Sequence, residues 1–144
     1  MHVLDINKDG RNDVLTTMAH SYGVLWFEQK AERTWAQHLI DNTWSRSHAS
    51  ALADINRDSQ PDFVTGARFM GRNAQETEPL AIYWYEFRAV PVASAARGAS
   101  TSAPPVQWTR HTISSGGEAG GGLQIVVGDI SGDGDMDVVS GGKS

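Results

Sequence analysis

Apolar positions along this chain fall in short runs, not at helical spacing. No segment repeats its apolar residues every 3.6 positions for long enough to make a helix. Val14-Leu15-Thr16-Thr17 and Val138-Val139-Ser140 are short, β-branched and bounded by turn-forming residues, and they predict strands. Val24-Leu25-Trp26-Phe27-Glu28 predicts another, and the same word returns as Ile82-Tyr83-Trp84-Tyr85-Glu86. A third kind of strand, Trp35-Ala36-Gln37-His38-Leu39-Ile40, returns as Trp108-Thr109-Arg110-His111-Thr112-Ile113. The stretch 80–87 is apolar almost throughout instead of alternating, as expected of a strand covered on both faces. The pattern is all-β.

Between the strands one polar motif occurs three times: Asp5-Ile6-Asn7-Lys8-Asp9-Gly10-Arg11-Asn12-Asp13, Asp54-Ile55-Asn56-Arg57-Asp58-Ser59-Gln60-Pro61-Asp62, and Asp129-Ile130-Ser131-Gly132-Asp133-Gly134-Asp135-Met136-Asp137. Oxygen-bearing side chains stand at positions 1, 3, 5 and 9, an apolar one at position 2, and ten of the eleven aspartates lie in these loops. Close carboxylates repel by about 1–4 kcal/mol per pair near a surface. A hard divalent cation turns that repulsion into coordination; Ca²⁺ takes about six to eight oxygens, so the loops predict bound Ca²⁺. Each loop opens like an EF-hand, but that motif ends in a bidentate glutamate at position 12 and sits between helices. Here position 12 is Thr16, Thr65 or Ser140, and the flanks read as strands, so the loop is expected to close a β-hairpin. One copy could be an ordinary Asp/Asn/Gly turn; three copies in one frame argue against that.

The loops begin at residues 5, 54 and 129, and an insertion enlarges the second spacing. Each unit then holds four strands: one before the loop, one after it, the apolar Trp strand and the Trp-x-x-His strand. A four-stranded unit recurring at about 40–50 residues is the mark of a β-propeller blade. The expected architecture is therefore all-β, with blades of four antiparallel strands in an incomplete ring. Blade 1 spans about 1–41, blade 2 about 49–113, and half of a blade 3 about 123–144. Residues 88–105 are low in complexity and are expected to form a mobile insertion between the third and fourth strands of blade 2. The glycine-rich 114–123 stretch is expected to serve close backbone packing near a central channel. Two and a half blades do not close a ring, so the chain reads as a fragment whose remaining blades come from a longer chain or from oligomerisation.

Charge and composition sharpen this picture in one respect. The formal net charge of −5 comes largely from the loops, and three Ca²⁺ would bring it to about +1. The acidity thus implies metal and not a basic partner. No basic stripe suggests nucleic acid, and no apolar run approaches the ~18–20 residues of a membrane span. No secretory signal is seen at the N-terminus. The absence of cysteine excludes a disulfide framework and leaves the compartment open.

The Asp loop followed by an apolar strand and glycine resembles the FG-GAP/VCBS repeat of calcium-binding β-propellers. Residues 127–139, Val-Gly-Asp-Ile-Ser-Gly-Asp-Gly-Asp-Met-Asp-Val-Val, match that repeat closely. The resemblance runs through essentially the whole chain and is specific for fold and metal, not for function. It implies Ca²⁺ ligands from Asp5, Asn7, Asp9 and Asp13, from Asp54, Asn56, Asp58 and Asp62, and from Asp129, Ser131, Asp133 and Asp137. Arg11, Gln60 and Asp135 would each add a backbone carbonyl. The second loop departs from the family at Ser59, where glycine is usual; if φ is positive there, the cost is about 1 kcal/mol. The resemblance also implies an extracellular, periplasmic or cell-surface setting.

The internal repeat separates architecture from function. Trp26/Trp84, Trp35/Trp108 and His38/His111 recur, so packing or inter-blade bonding is expected of them. Residues that break the repeat are better candidates for ligand binding. In an up-and-down blade the 2–3 and 4–1 connections lie opposite the Asp loops. They carry His20, Tyr22, Arg68, Arg72, Glu76 and Lys143, together with Trp44, Arg46, His48 and Glu118. The expected ligand site uses His20, His48, Arg68, Glu118 and Lys143, in a recognition module for glycan or protein. The alternatives are part of a sugar-active lyase- or dehydratase-like enzyme and a purely structural module. No Gly-rich phosphate loop, cysteine nucleophile or Gly-x-Ser-x-Gly elbow marks a reaction.

Overall fold

The computed structural model describes residues 1–69, 78–90 and 105–141. The described chain is three antiparallel sheets, none of them closed into a barrel. The first sheet runs β1 (His2–Leu4), β2 (Asp13–Thr17), β3 (Tyr22–Gln29) and β4 (Trp35–Ser45) in simple meander order. The second repeats that order with β5 (Ser47–Ala53), β6 (Asp62–Ala67), β7 (Ile82–Ala89) and β8 (Val106–Ser114). A hairpin of β9 (Ile125–Gly128) and β10 (Asp137–Ser140) begins a third. Among the described residues there is no α-helix, only a 3-10 turn at Ala31–Arg33 between β3 and β4. The all-β reading of the sequence holds.

Two apolar clusters join these sheets. Ile6, Leu15, Val24 and Trp26 of the first sheet meet Phe63, Tyr85 and Phe87 of the second, with Trp108 packed alongside. The opposite face of the second sheet presents Val64 and Ile82 to Ile125, Val127 and Val138 of the hairpin. The second sheet is thus covered on both sides, and every residue of β6 is buried. That explains the missing alternation in its sequence. Among the described residues the first sheet has one covered face, and β4 alternates exposed with half-buried residues through Trp35–Ile40. Trp35, half exposed, and Leu39 stand on its open side.

The repeated Trp and His form a unit in each sheet. Trp26 is paired across strands with His38 and stacks on it, centroids 4.3 Å apart; Trp84 does the same with His111 at 3.9 Å. Glu28 Oε2 lies 2.8 Å from His38 Nε2, and Glu86 Oε2 lies 3.4 Å from His111 Nε2. Trp35 and Trp108 are not equivalent in packing. Trp108 lies against Phe87 and faces Trp26 across the sheets, whereas no described sheet covers Trp35.

The glycine-rich stretch does bring backbones together. Gly121 N–H donates to the Ala67 carbonyl at 2.9 Å. A methyl group on Gly121 would come within 2.4 Å of the Gly66 carbonyl oxygen, and one on Gly66 within 2.6 Å of the Ala81 carbonyl. No side chain fits between these backbone segments.

Two boundaries differ from expectation. β4 continues through Ser45, and β5 begins at Ser47, so Trp44 and His48 are strand residues and only Arg46 links the two sheets. Irregular register near Tyr22 and Val24 accommodates the extra length of β4. Arg88 and Ala89 belong to β7, and Val90 N–H bonds the Pro105 carbonyl; the rest of the expected insertion lies outside the described residues.

Candidate functional site

The three Asp loops connect β1 to β2, β5 to β6 and β9 to β10, as hairpin closures should. The residue before each loop pairs with its last aspartate: Leu4 with Asp13, Ala53 with Asp62, Gly128 with Asp137. Within the loops the carboxylates hold the backbone in a shared pattern. The first aspartate accepts from the N–H of position 6, at 2.9 Å for Gly10 and Ser59 and 3.0 Å for Gly134. The aspartate at position 5 accepts from the N–H of position 7, in Arg11, Gln60 and Asp135. The aspartate at position 9 accepts from the N–H of position 2, in Ile6, Ile55 and Ile130.

Backbone conformation sets the loops apart. Position 6 has positive φ in all three, as Gly10 (87°), Ser59 (65°) and Gly134 (94°). Position 4 is left-handed as well, as Lys8 (60°), Arg57 (60°) and Gly132 (76°), a requirement the sequence reading did not foresee. A residue with a Cβ is strained there and glycine is not. The third loop therefore carries no such strain, the first carries it once and the second twice.

Burial acts on the closing carboxylates. Asp62 is pushed up to about 6 by burial, reinforced by Asp58 and Glu86 and opposed by the Ile55 and Asn56 N–H groups. Burial also raises Asp13, against hydrogen bonds from the Gln29 and Ile6 N–H groups. Asp137, only half-buried, is lowered instead, by the N–H groups of Ser131 and Ile130.

The donors suit a hard divalent cation in kind, being carboxylate, amide, hydroxyl and carbonyl oxygens. Among the described residues, however, no three His, Cys, Asp or Glu side chains converge tightly enough to enclose an ion. Protein groups occupy the oxygens: Arg11 Nη2 lies 2.5 Å from Asp9 Oδ2, and Arg88 Nη2 lies 2.7 Å from Asp58 Oδ2. Asn7, fully buried, donates to Asp9 at 3.1 Å and to Glu28 at 3.0 Å. Glu28 thereby ties the first loop to His38 and to Lys30. A cavity of about 310 Å³ opens at this end of the strands, lined by Ile6, Lys8, Gln60, Phe87, Arg88 and Ala89.

At the opposite strand ends, three residues that break the repeat come together. His20, from the β2–β3 connection, meets His48 of β5 edge-to-face with centroids 4.8 Å apart. Arg68, just beyond β6, acts on His48 electrostatically. Burial lowers the His48 pKa, as do the charges of Arg68 and His20, while the Ala19 carbonyl partly restores it. Its Nε2 is buried and has no hydrogen-bond partner among the described residues. Glu118 is exposed on the β8–β9 connection, and no contact among the described residues joins it to this group. Lys143, Arg72 and Glu76 lie outside the described residues.

The sequence reading missed Glu78 here. Its carboxylate accepts from the Ser45 N–H at 3.1 Å, the Ser45 hydroxyl at 2.8 Å and the Tyr22 hydroxyl. Burial opposes its ionisation, but these bonds and the Arg46 charge outweigh it and hold its pKa below the ordinary value. Arg46 is buried at φ 67°, and its Nη2 donates to the Glu78 carbonyl at 2.6 Å. Glu78 has no counterpart in the first sheet, and only that asymmetry could have pointed to it. Glu28 and Glu86 were missed too, although their recurrence after the Trp strand was a usable signal.

Residues 5–65 match the FG-GAP-like repeat family. FG-GAP repeats are propeller blades, and the matched segment runs from the first Asp loop through the second and into β6. No curated protein and no solved structure matches the chain.

Proposed function

We propose that this chain is a calcium-stabilised, propeller-type recognition module of the FG-GAP/VCBS kind. It binds a glycan or protein ligand outside the cytoplasm, at the strand ends opposite the Asp loops. One observation carries the reading: His20, His48 and Arg68 come from three separate segments, break the internal repeat and lie together. A neutral imidazole beside a guanidinium suits hydroxyl and carboxylate groups of a polar ligand. Asp5, Asn7, Asp9 and Asp13 and their equivalents would hold Ca²⁺, which when bound supplies charge neutralisation across the loops. A second reading, part of a sugar-active lyase- or dehydratase-like enzyme, draws on His48 as a neutral base next to Arg68.

The test pairs a glycan-array binding screen with thermal melting of the full chain. His48→Ala or Arg68→Ala should weaken a retained glycan by about 1–3 kcal/mol and leave the melt nearly unchanged. Removing metal with EDTA should lower Tm, and excess Ca²⁺ should restore about 2.7 kcal/mol per site at ~100-fold over Kd. Normal binding by both variants, with ligand lost on Asp9→Ala at unchanged Tm, would move the ligand to the cavity beside the loops. Release of product from the bound sugar would favour the enzyme reading.

A further inference from the structure

Although the three loops share their backbone bonding, they differ in what neutralises the aspartate at position 5. In the first loop both Asp9 oxygens are taken: Oδ1 accepts the Arg11 N–H at 2.9 Å, and Oδ2 accepts Asn7 Nδ2 and Arg11 Nη2. The second loop repeats this with a different arginine. Asp58 Oδ1 accepts the Gln60 N–H at 2.8 Å, while Oδ2 accepts Asn56 Nδ2 and Nη2 of Arg88, which reaches over from β7. In the third loop, among the described residues, no guanidinium reaches Asp133. Arg57 instead bonds the side chain of Asp135, whose expected ligand atom is its backbone carbonyl.

We propose that Arg11 and Arg88 are tethered counter-cations, which hold the position-5 carboxylates of the first two loops and must be displaced when a divalent ion binds. This rests on the Ca²⁺ reading above. A guanidinium and a hard cation cannot share the same carboxylate oxygen at bonding distance without strong repulsion, so each arginine competes with the ion at its own loop. Both have somewhere to go. Arg11 Nε already bonds the Gln29 carbonyl at 2.9 Å, and Arg88 Nε bonds Glu86 Oε1 at 2.6 Å. Arg88 also borders both the 310 Å³ cavity and a second of about 200 Å³, so its head can swing without disturbing packing. The third loop, without a competitor and with glycine at both left-handed positions, should fill first. The first two should fill later, over a higher range of Ca²⁺.

The experiment is Ca²⁺ titration calorimetry on the full chain, with Arg11→Gln, Arg88→Gln and the control Arg57→Gln, and a melt of each in EDTA. Arg11→Gln and Arg88→Gln should each tighten one weak site about five- to tenfold and lower Tm in EDTA, where the counter-cation is lost. Arg57→Gln should shift any site less than about twofold. Two weak sites unchanged or weakened in both variants would overturn the proposal while leaving the Ca²⁺ reading intact. Sites that appear only in the variants would support it. No Ca²⁺ uptake by any of the proteins would remove the Ca²⁺ reading and this proposal together.

Discussion

Ser59→Gly should stabilise this protein, although it removes a hydroxyl and adds backbone freedom. Ser59 stands at φ 65°, where a Cβ crowds the backbone; relief of that crowding is worth about 1–2 kcal/mol. Glycine returns about 0.5–1 kcal/mol of this through the entropy of the unfolded chain. The net expectation is about 0.5–1 kcal/mol in favour of the variant, or roughly 1–4 °C in Tm for a chain of this size. The equivalent Gly10 supplies the reciprocal: it has φ 87° and open space around the place of a Cβ. Gly10→Ala should therefore destabilise by about 1 kcal/mol through backbone strain alone, with no steric clash to confuse the result. Both changes are read by calorimetric melting with EDTA, so that metal occupancy does not enter, and again with Ca²⁺. A lower Tm for Ser59→Gly together with an unchanged Tm for Gly10→Ala would refute the conformational argument.

Three further outcomes follow from packing and charge. Gly121→Ala should cost more than about 3 kcal/mol, at the upper end for overpacking, because its methyl would meet the Gly66 carbonyl at 2.4 Å; a near-native denaturation midpoint would contradict the described contact. Tyr85→Phe should cost about 2 kcal/mol, because the hydroxyl takes the Trp44 indole N–H at 2.7 Å and donates to Asp41 at 2.8 Å; chemical denaturation measures it. His48 has its pKa lowered by burial, Arg68 and His20, so the unfolded chain binds the extra proton first. Its contribution is complete above the ordinary histidine value of about 6.5 and declines as pH falls through that value. Buried Asp62, raised to about 6, works in the opposite sense. The informative quantity is therefore the Tm difference between wild type and His48→Gln from pH 7.5 to 5.5; a difference constant over that range would exclude the histidine effect.

The strands and loops were legible because their signals are local. A β-branched run beside an Asp-x-Asn-x-Asp loop needs nothing distant to declare itself, and the loop frame repeats three times. What escaped the sequence depends on partners far along the chain. Asp41-Asn42-Thr43 has turn composition, yet β4 runs through it, because Asp41 is held by Tyr85 and Arg110 of the second sheet. The left-handed backbone at Lys8 and Arg57 also left no trace, since only the third loop has glycine at that position. For the candidate site, the histidines and Arg68 could be nominated for breaking the repeat. Glu78 breaks the repeat as well, but its role was not legible, because it arises from Tyr22 and Ser45, more than thirty residues away.

The one-residue link at Arg46 has a kinetic consequence. A single residue spans at most about 3.6 Å, and this one is buried, left-handed and bonded to Glu78. A hinge needs several residues free to change φ and ψ, and none are available between Ser45 and Ser47. The first two sheets must then tumble and meet a partner as one rigid body, with His20 on one and His48 on the other at fixed separation. Complex formation at that end should follow simple one-step kinetics, its observed rate rising linearly with partner concentration and showing no plateau from a closing step.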